Sequence, residues 1–149
     1  MSHKNTSPDE SLAEVRQRIG EAGMRRTAAR IAVSRQLLAS RTPMSHAEVA
    51  ELLAAQGFDK ATVYRNLVEL AEAGILSRFE LGDHVWRFEW RETGPDHRAE
   101  HPHFLCLDCG EISCLPDVLV SISPSPGSKN SGMAAVSQVL LKGQCGRCQ

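Results

Sequence analysis

Apolar residues recur along the first ninety positions at helical spacing, then switch to alternation. Leu12, Val15 and Ile19 predict a first helix that stops near Gly20–Gly23. Residues 1–10 before it are polar and read as a disordered N-terminus. Thr27 is placed to cap a second helix carrying Ile31, Leu37 and Leu38, and Pro43 breaks the chain after it. Ser45-His46-Ala47-Glu48 is a capping box. It opens a third helix expected to bury Val49, Leu52 and Leu53 and to end at Gly57. Asp59 caps a fourth, with Val63, Leu67 and Leu70 on its buried side and Gly74 as its stop. Thr62, Tyr64, Arg65 and Glu69 fall on the opposite side. Ile75–Leu81 and Val85–Trp90 are strand-like and joined at Gly82-Asp83, a hairpin signal. Helices followed by a two-stranded ribbon predict a winged helix-turn-helix over residues 11–90, with the helix from Asp59 to Ala73 as the one that enters a major groove.

Residues 91–100 are polar and contain Gly94-Pro95, so they read as a hinge. Beyond them, over 101–149, four short runs look like strands: Phe104–Leu107, Glu111–Leu115, Val118–Ile122 and Val136–Leu141. The Ser/Pro/Gly stretch from Ser123 to Gly132 between the last two is a loop by composition. The fold class is therefore α+β.

Bulk charge adds little, because the 149-residue chain has a formal net charge of −1. Its distribution adds more. Between Arg16 and Arg41 stand seven arginines against one acid, Glu21. Ahead of a groove-reading helix, that stretch suits phosphate; on its own it would be a solvated helical surface. No run of 18 apolar residues predicts a membrane span, and no apolar signal region precedes the first helix. The expectation is a cytoplasmic protein with reduced thiols.

Two C-x-x-C pairs, Cys106/Cys109 and Cys145/Cys148, lie 35 residues apart. Four thiolates in two short-spaced pairs are what a closed tetrahedral zinc site needs. Free thiols or a redox pair are the alternatives, but a redox motif needs only one pair, where a strand meets a helix.

Three stretches resemble the ferric uptake regulator family of bacterial metal-responsive repressors, in its zinc-uptake branch. They are Ala61-Thr62-Val63-Tyr64-Arg65-Asn66-Leu67, His101-Pro102-His103-Phe104-Leu105-Cys106-Leu107-Asp108-Cys109-Gly110, and Lys142-Gly143-Gln144-Cys145-Gly146-Arg147-Cys148. The resemblance implies a homodimer in which each winged helix precedes a small α/β dimerisation domain. It further implies a structural Zn²⁺ on Cys106, Cys109, Cys145 and Cys148, and a second metal that switches affinity for operator DNA. Thr62, Tyr64 and Arg65, with Arg25 and Arg26, are the candidate DNA contacts. Tyr64 read without the family is equally a half-buried packing residue.

The family's regulatory site implies Glu89 at the end of the wing, the pair His101 and His103, and an acid shortly after the first knuckle. Cys114 stands there instead. A thiolate beside two imidazoles favours Zn²⁺ over a hard octahedral ion, with Fe²⁺ or Mn²⁺ as alternatives. Cys114 otherwise reads as a small buried apolar residue. The family histidine before the third helix is replaced by Thr42-Pro43, with His46 nearby. His97 in the hinge is an optional ligand, and His84 at the wing tip another. The rival readings are a zinc-dependent enzyme and a zinc-stapled protein-interaction module. The enzyme reading lacks a nucleophile or glycine-rich motif.

Overall fold

The computed structural model describes residues 7–40, 42–92, 101–127, 136 and 138–149. Thr93–Glu100, which hold most of the expected hinge and His97, lie outside the described residues, as do 128–135 of the Ser/Pro/Gly region. The chain divides into two units, Met1–Glu92 and Thr93–Gln149.

The first unit contains α1 (Pro8–Glu21), α2 (Ala28–Ala39), β1 (Met44–Ser45), α3 (His46–Ala54), α4 (Lys60–Glu72), β2 (Leu76–Glu80) and β3 (Trp86–Trp90). Each helix starts where a short polar side chain takes an orphan N–H. Thr27 accepts from Arg30, Ser45 from Glu48 and Asp59 from Thr62. The expected disorder over 1–10 is corrected at its end. Ser7 and Glu10 form a reciprocal capping box around Pro8, whose missing N–H costs nothing at the first helical position. That start gives α1 another turn.

Val15, Ile19, Val33, Leu37, Val49, Leu53, Val63, Leu67 and Leu70 meet in one core, closed from the sheet by Leu76, Phe88 and Trp90. The expectation for Leu52 fails, since it is 50% exposed. The buried arc of α3 is set by Val49, Ala50 and Leu53, and Leu52 lies well off it. The ribbon is antiparallel with Leu76 opposite Trp90, as the alternation implies. A third strand was not foreseen. Met44 pairs with Phe88 and Ser45 with Arg87, so the order is β1-β3-β2. Two residues are too short for a periodic signal. The unit also runs past residue 90. The Arg91 amide donates to the Ile75 carbonyl, and its own carbonyl accepts from Arg18, whose guanidinium lies over the Trp90 ring.

The second unit holds β4 (His103–Cys106), β5 (Ile112–Cys114) and β6 (Leu140–Gly143), in the order β5-β4-β6. β4 runs antiparallel to β5 and parallel to β6. The strand expected at Val118–Ile122 is absent; this stretch has no regular secondary structure, and Val118, Leu119 and Ile122 are exposed. Pro116 precedes it and Pro124 and Pro126 follow, and proline cannot donate to a ladder. The last strand begins at Leu140 rather than Val136, in a register that places Gly143 beside Cys106. No helix among the described residues is long and apolar enough to cross a membrane.

Two solution tests follow from the caps and the wing. Ser45→Ala deletes the N-cap oxygen of α3 and is expected to cost about 1 kcal/mol. For a unit of this size that lowers the melting temperature by about 4–8 °C, read by thermal denaturation. At the wing tip, Arg87 donates to both Asp83 oxygens at 3.0 and 2.7 Å. With the Val85 N–H this holds the Asp83 carboxyl down to about 2, from an ordinary 3.8. The folded value lies below the unfolded one, so the pair's stabilisation is complete above 3.8 and disappears as pH falls toward 2. Arg87→Met should return the Asp83 midpoint toward 3.8 in an NMR titration.

Candidate metal centres and nucleic-acid interface

The parallel register of β4 and β6 brings the two knuckles to the same end of the sheet. Cys106 ends β4 beside Gly143, and Cys145 follows two residues later. The Leu107 amide donates to the Gly143 carbonyl at 2.8 Å, and the Cys145 amide donates to the Cys106 sulfur at 3.4 Å. Each C-x-x-C closes as a turn: the Gly110 amide reaches the Cys106 carbonyl, and the Cys148 amide the Cys145 carbonyl, both at 3.0 Å. Gly110 takes φ +73°, which glycine adopts without strain. Arg147 pairs with Glu111, linking the second knuckle to the turn after the first.

The four sulfurs lie within 4.8 Å of one another. A tetrahedral ion with bonds near 2.3 Å sets sulfurs about 3.8 Å apart. The Cys109–Cys145 sulfur separation is 3.9 Å. The donor set and its spacing therefore fit zinc. Charge points the same way. The Cys109 and Cys145 backbone N–H groups pull the Cys106 thiol down to about 6. Hydrogen bonding to Cys145 and then Cys109 pushes the Cys148 thiol up to about 12, and its neighbour Cys106 raises Cys109. Four thiols this close cannot all ionise unless a cation offsets their charge.

A second convergence lies at the other end of β4, about 10 Å away at ordinary strand rise. His103 opens the strand and is 4% exposed. Cys114 is its cross-strand partner, so both side chains stand on one side of the ladder. His101 is two residues upstream, its ring centroid 5.0 Å from that of His103. One nitrogen from each histidine and the Cys114 sulfur lie within 4.8 Å of one another. Cys114 thus belongs to a cluster, and its reading as an inert buried residue loses ground. Glu89 sits on β3 in the first unit, half-buried, opposite Ser77 and on the face away from Phe88. His84 is on the exposed wing tip at φ +58°, with its amide donating to Glu80. His46 is held against the protein chain through its ring: Nε2 is 2.8 Å from the Lys60 carbonyl.

On α4, Tyr64 is 47% exposed and Arg65 is exposed, while Thr62 is half-buried and its amide goes to Asp59. The basic stretch divides by role. Arg18 and Arg30 work internally: Arg30 pairs with Glu69 and donates to the Arg25 carbonyl. Arg26 is exposed but spends its Nε on the Arg16 carbonyl. Arg16, Arg25 and Arg35 are exposed. The sequence reading missed this division, because charge counts do not reveal which guanidiniums are committed to carbonyls and carboxylates.

Comparison with known proteins follows these observations closely. The model of the "Ferric uptake regulator family" matches residues 21–139. The peroxide-responsive repressor PerR of Staphylococcus aureus (strain USA300) is 32% identical over 106 residues, which is 70% of this chain and 65% of that protein. The match therefore spans less than two thirds of that relative's length. Among solved structures, the ferric uptake regulator Fur of Helicobacter pylori superposes with a TM-score of 0.63 at 21% identity, covering 95% of this chain and 93% of that one. A zinc uptake regulator in complex with zinc and DNA gives 0.61 at 21% identity, covering 97% and 96%. At these identities the structures speak for the fold, and the family model, matched over most of the chain, places the protein in the ferric uptake regulator family.

Proposed function

We propose that the protein is a zinc-dependent repressor that binds operator DNA as a homodimer. In this reading Cys106, Cys109, Cys145 and Cys148 hold a structural Zn²⁺. His101, His103 and Cys114 hold the regulatory ion, with Glu89 as the fourth ligand and His97 as an optional one. The observation that carries the proposal is the convergence of two imidazoles and a thiol at the start of β4, separate from the four-cysteine cluster at its end. Two nitrogens and a sulfur suit zinc better than manganese. The zinc uptake regulator bound to zinc and DNA lends the same combination of partners. Family membership stands against the zinc-enzyme alternative.

On the DNA side, α4 would enter the major groove. Arg65 suits guanine or phosphate, and Tyr64 thymine or phosphate. Exposed Arg16, Arg25 and Arg35 are left for phosphates. Dimerisation is supported by β5 and β6 as sheet edges and by exposed Leu107, Leu119, Ile122 and Leu141 in the second unit. Binding of the regulatory ion would favour the dimer state in which two winged helices meet the duplex at half-site spacing, about 34–36 Å.

Two outcomes are expected. In protein whose four-cysteine site is loaded, adding zinc should tighten operator affinity about 5–150-fold at fixed salt, and His103→Ala or Cys114→Ser should abolish that response. Stronger switching by Fe²⁺ or Mn²⁺ would reassign the sensed metal. Removing the structural ion by Cys145→Ser with Cys148→Ser should collapse NMR dispersion in the second unit and leave the signals of residues 7–92 in place.

A further inference from the structure

The first residue of α3 touches the reading helix twice. The His46 imidazole lies 2.8 Å through Nε2 from the Lys60 carbonyl, in the first turn of α4. A carbonyl can only accept, so Nε2 carries the hydrogen and donates it. Lys60 is also the residue one full turn before Tyr64, so the two share a side of α4. The same imidazole therefore meets the Tyr64 ring edge-on, with centroids 5.2 Å apart and planes at 64°. That is favourable aromatic geometry. Tyr64 is half in solvent, and the residues one turn behind it on α4 are Lys60 and Ala61, one flexible and one small.

We infer that His46 is a positioning residue for DNA reading. It holds the first turn of α4 and the Tyr64 ring in the orientation that meets the duplex. The inference rests on the DNA-binding reading above. Tyr64 has two rotatable bonds before its hydroxyl, and a ring already seated against a wall loses less freedom when it docks. Stability does not call for this contact. The start of α3 is secured by Ser45 and Glu48, and α3 is packed through Val49, Ala50 and Leu53. The hydrogen bond from His46 is exposed.

The test starts from a duplex that zinc-loaded wild type enriches out of a random-sequence pool. Affinity for that duplex is measured at fixed salt for wild type, His46→Ala, His46→Gln, Tyr64→Ala and the His46→Ala/Tyr64→Ala double variant, with melting temperatures alongside. His46→Ala should weaken binding about 2–10-fold per subunit without moving the melting temperature. His46→Gln, which keeps an N–H donor, should recover part of that loss. In the Tyr64→Ala background the second substitution should cost nothing more, because the wall then has nothing to hold. Losses that add across the double variant, full affinity for His46→Ala, or a loss that tracks a fall in melting temperature would each overturn the inference. A wild type that enriches no sequence would overturn the DNA-binding reading beneath it, an outcome distinct from the other three.

Discussion

The convergence of two cysteine knuckles on one point, with the sulfur spacing a dication would require, is the constraint on which the second unit depends. Of the buried apolar side chains among the described residues, all but Pro102 and Cys106 belong to the first unit. The second unit's described residues thus supply no apolar core comparable to the one built by Val33, Leu53 and Leu67. A sheet of three strands, each of three or four residues, cannot stabilise itself by burial. A tetrathiolate metal on the four cysteines would replace that missing core, and its binding free energy would become folding free energy. Leu107, Val118, Leu119, Ile122, Val136 and Leu141 leave apolar surface exposed on this unit.

β4 makes this constraint useful. Its last residue is a structural sulfur and its first is a candidate sensing histidine. The parallel pairing that seats Cys106 beside Gly143 also fixes His103 opposite Cys114 through the same central strand. Rigidity at one end of a four-residue strand therefore sets the ligand geometry at the other. In the proposed reading, a structural ion on the four cysteines would make the regulatory site more preorganised without taking part in the switch. The first unit is built on a different principle, an apolar core with capped helices, so it can hold its shape whichever ions the second unit carries.

Much of this was legible in the sequence. The caps at Thr27, Ser45 and Asp59 and the ribbon joined at Gly82-Asp83 were readable because their signals are local and periodic. The four-cysteine cluster was readable because spacing alone defines it. The misses have two causes. The Ser7–Glu10 capping box at the start of α1 and the prolines around 118–122 are local signals outweighed by the polar composition of one stretch and the apolar run of the other, whereas β1 and the exposure of Leu52 depend on what a partner element supplies. The same holds for the arginines: Arg18 and Arg30 look like phosphate ligands in a charge count, and only packing reveals Trp90 and Glu69 as their partners. His46 was visible as the histidine that opens α3, but its contact with Lys60 and Tyr64 is a tertiary fact.

The central claim is that the chain carries two metal centres of different kind, one that staples and one that senses. Anomalous scattering at the zinc edge from crystals of zinc-saturated protein tests it most directly. The account predicts two zinc peaks per chain, one on Cys106, Cys109, Cys145 and Cys148, the other on His101, His103 and Cys114 with a carboxylate completing the shell. A single peak on the four cysteines, with Cys114 turned away from the histidines, would contradict it.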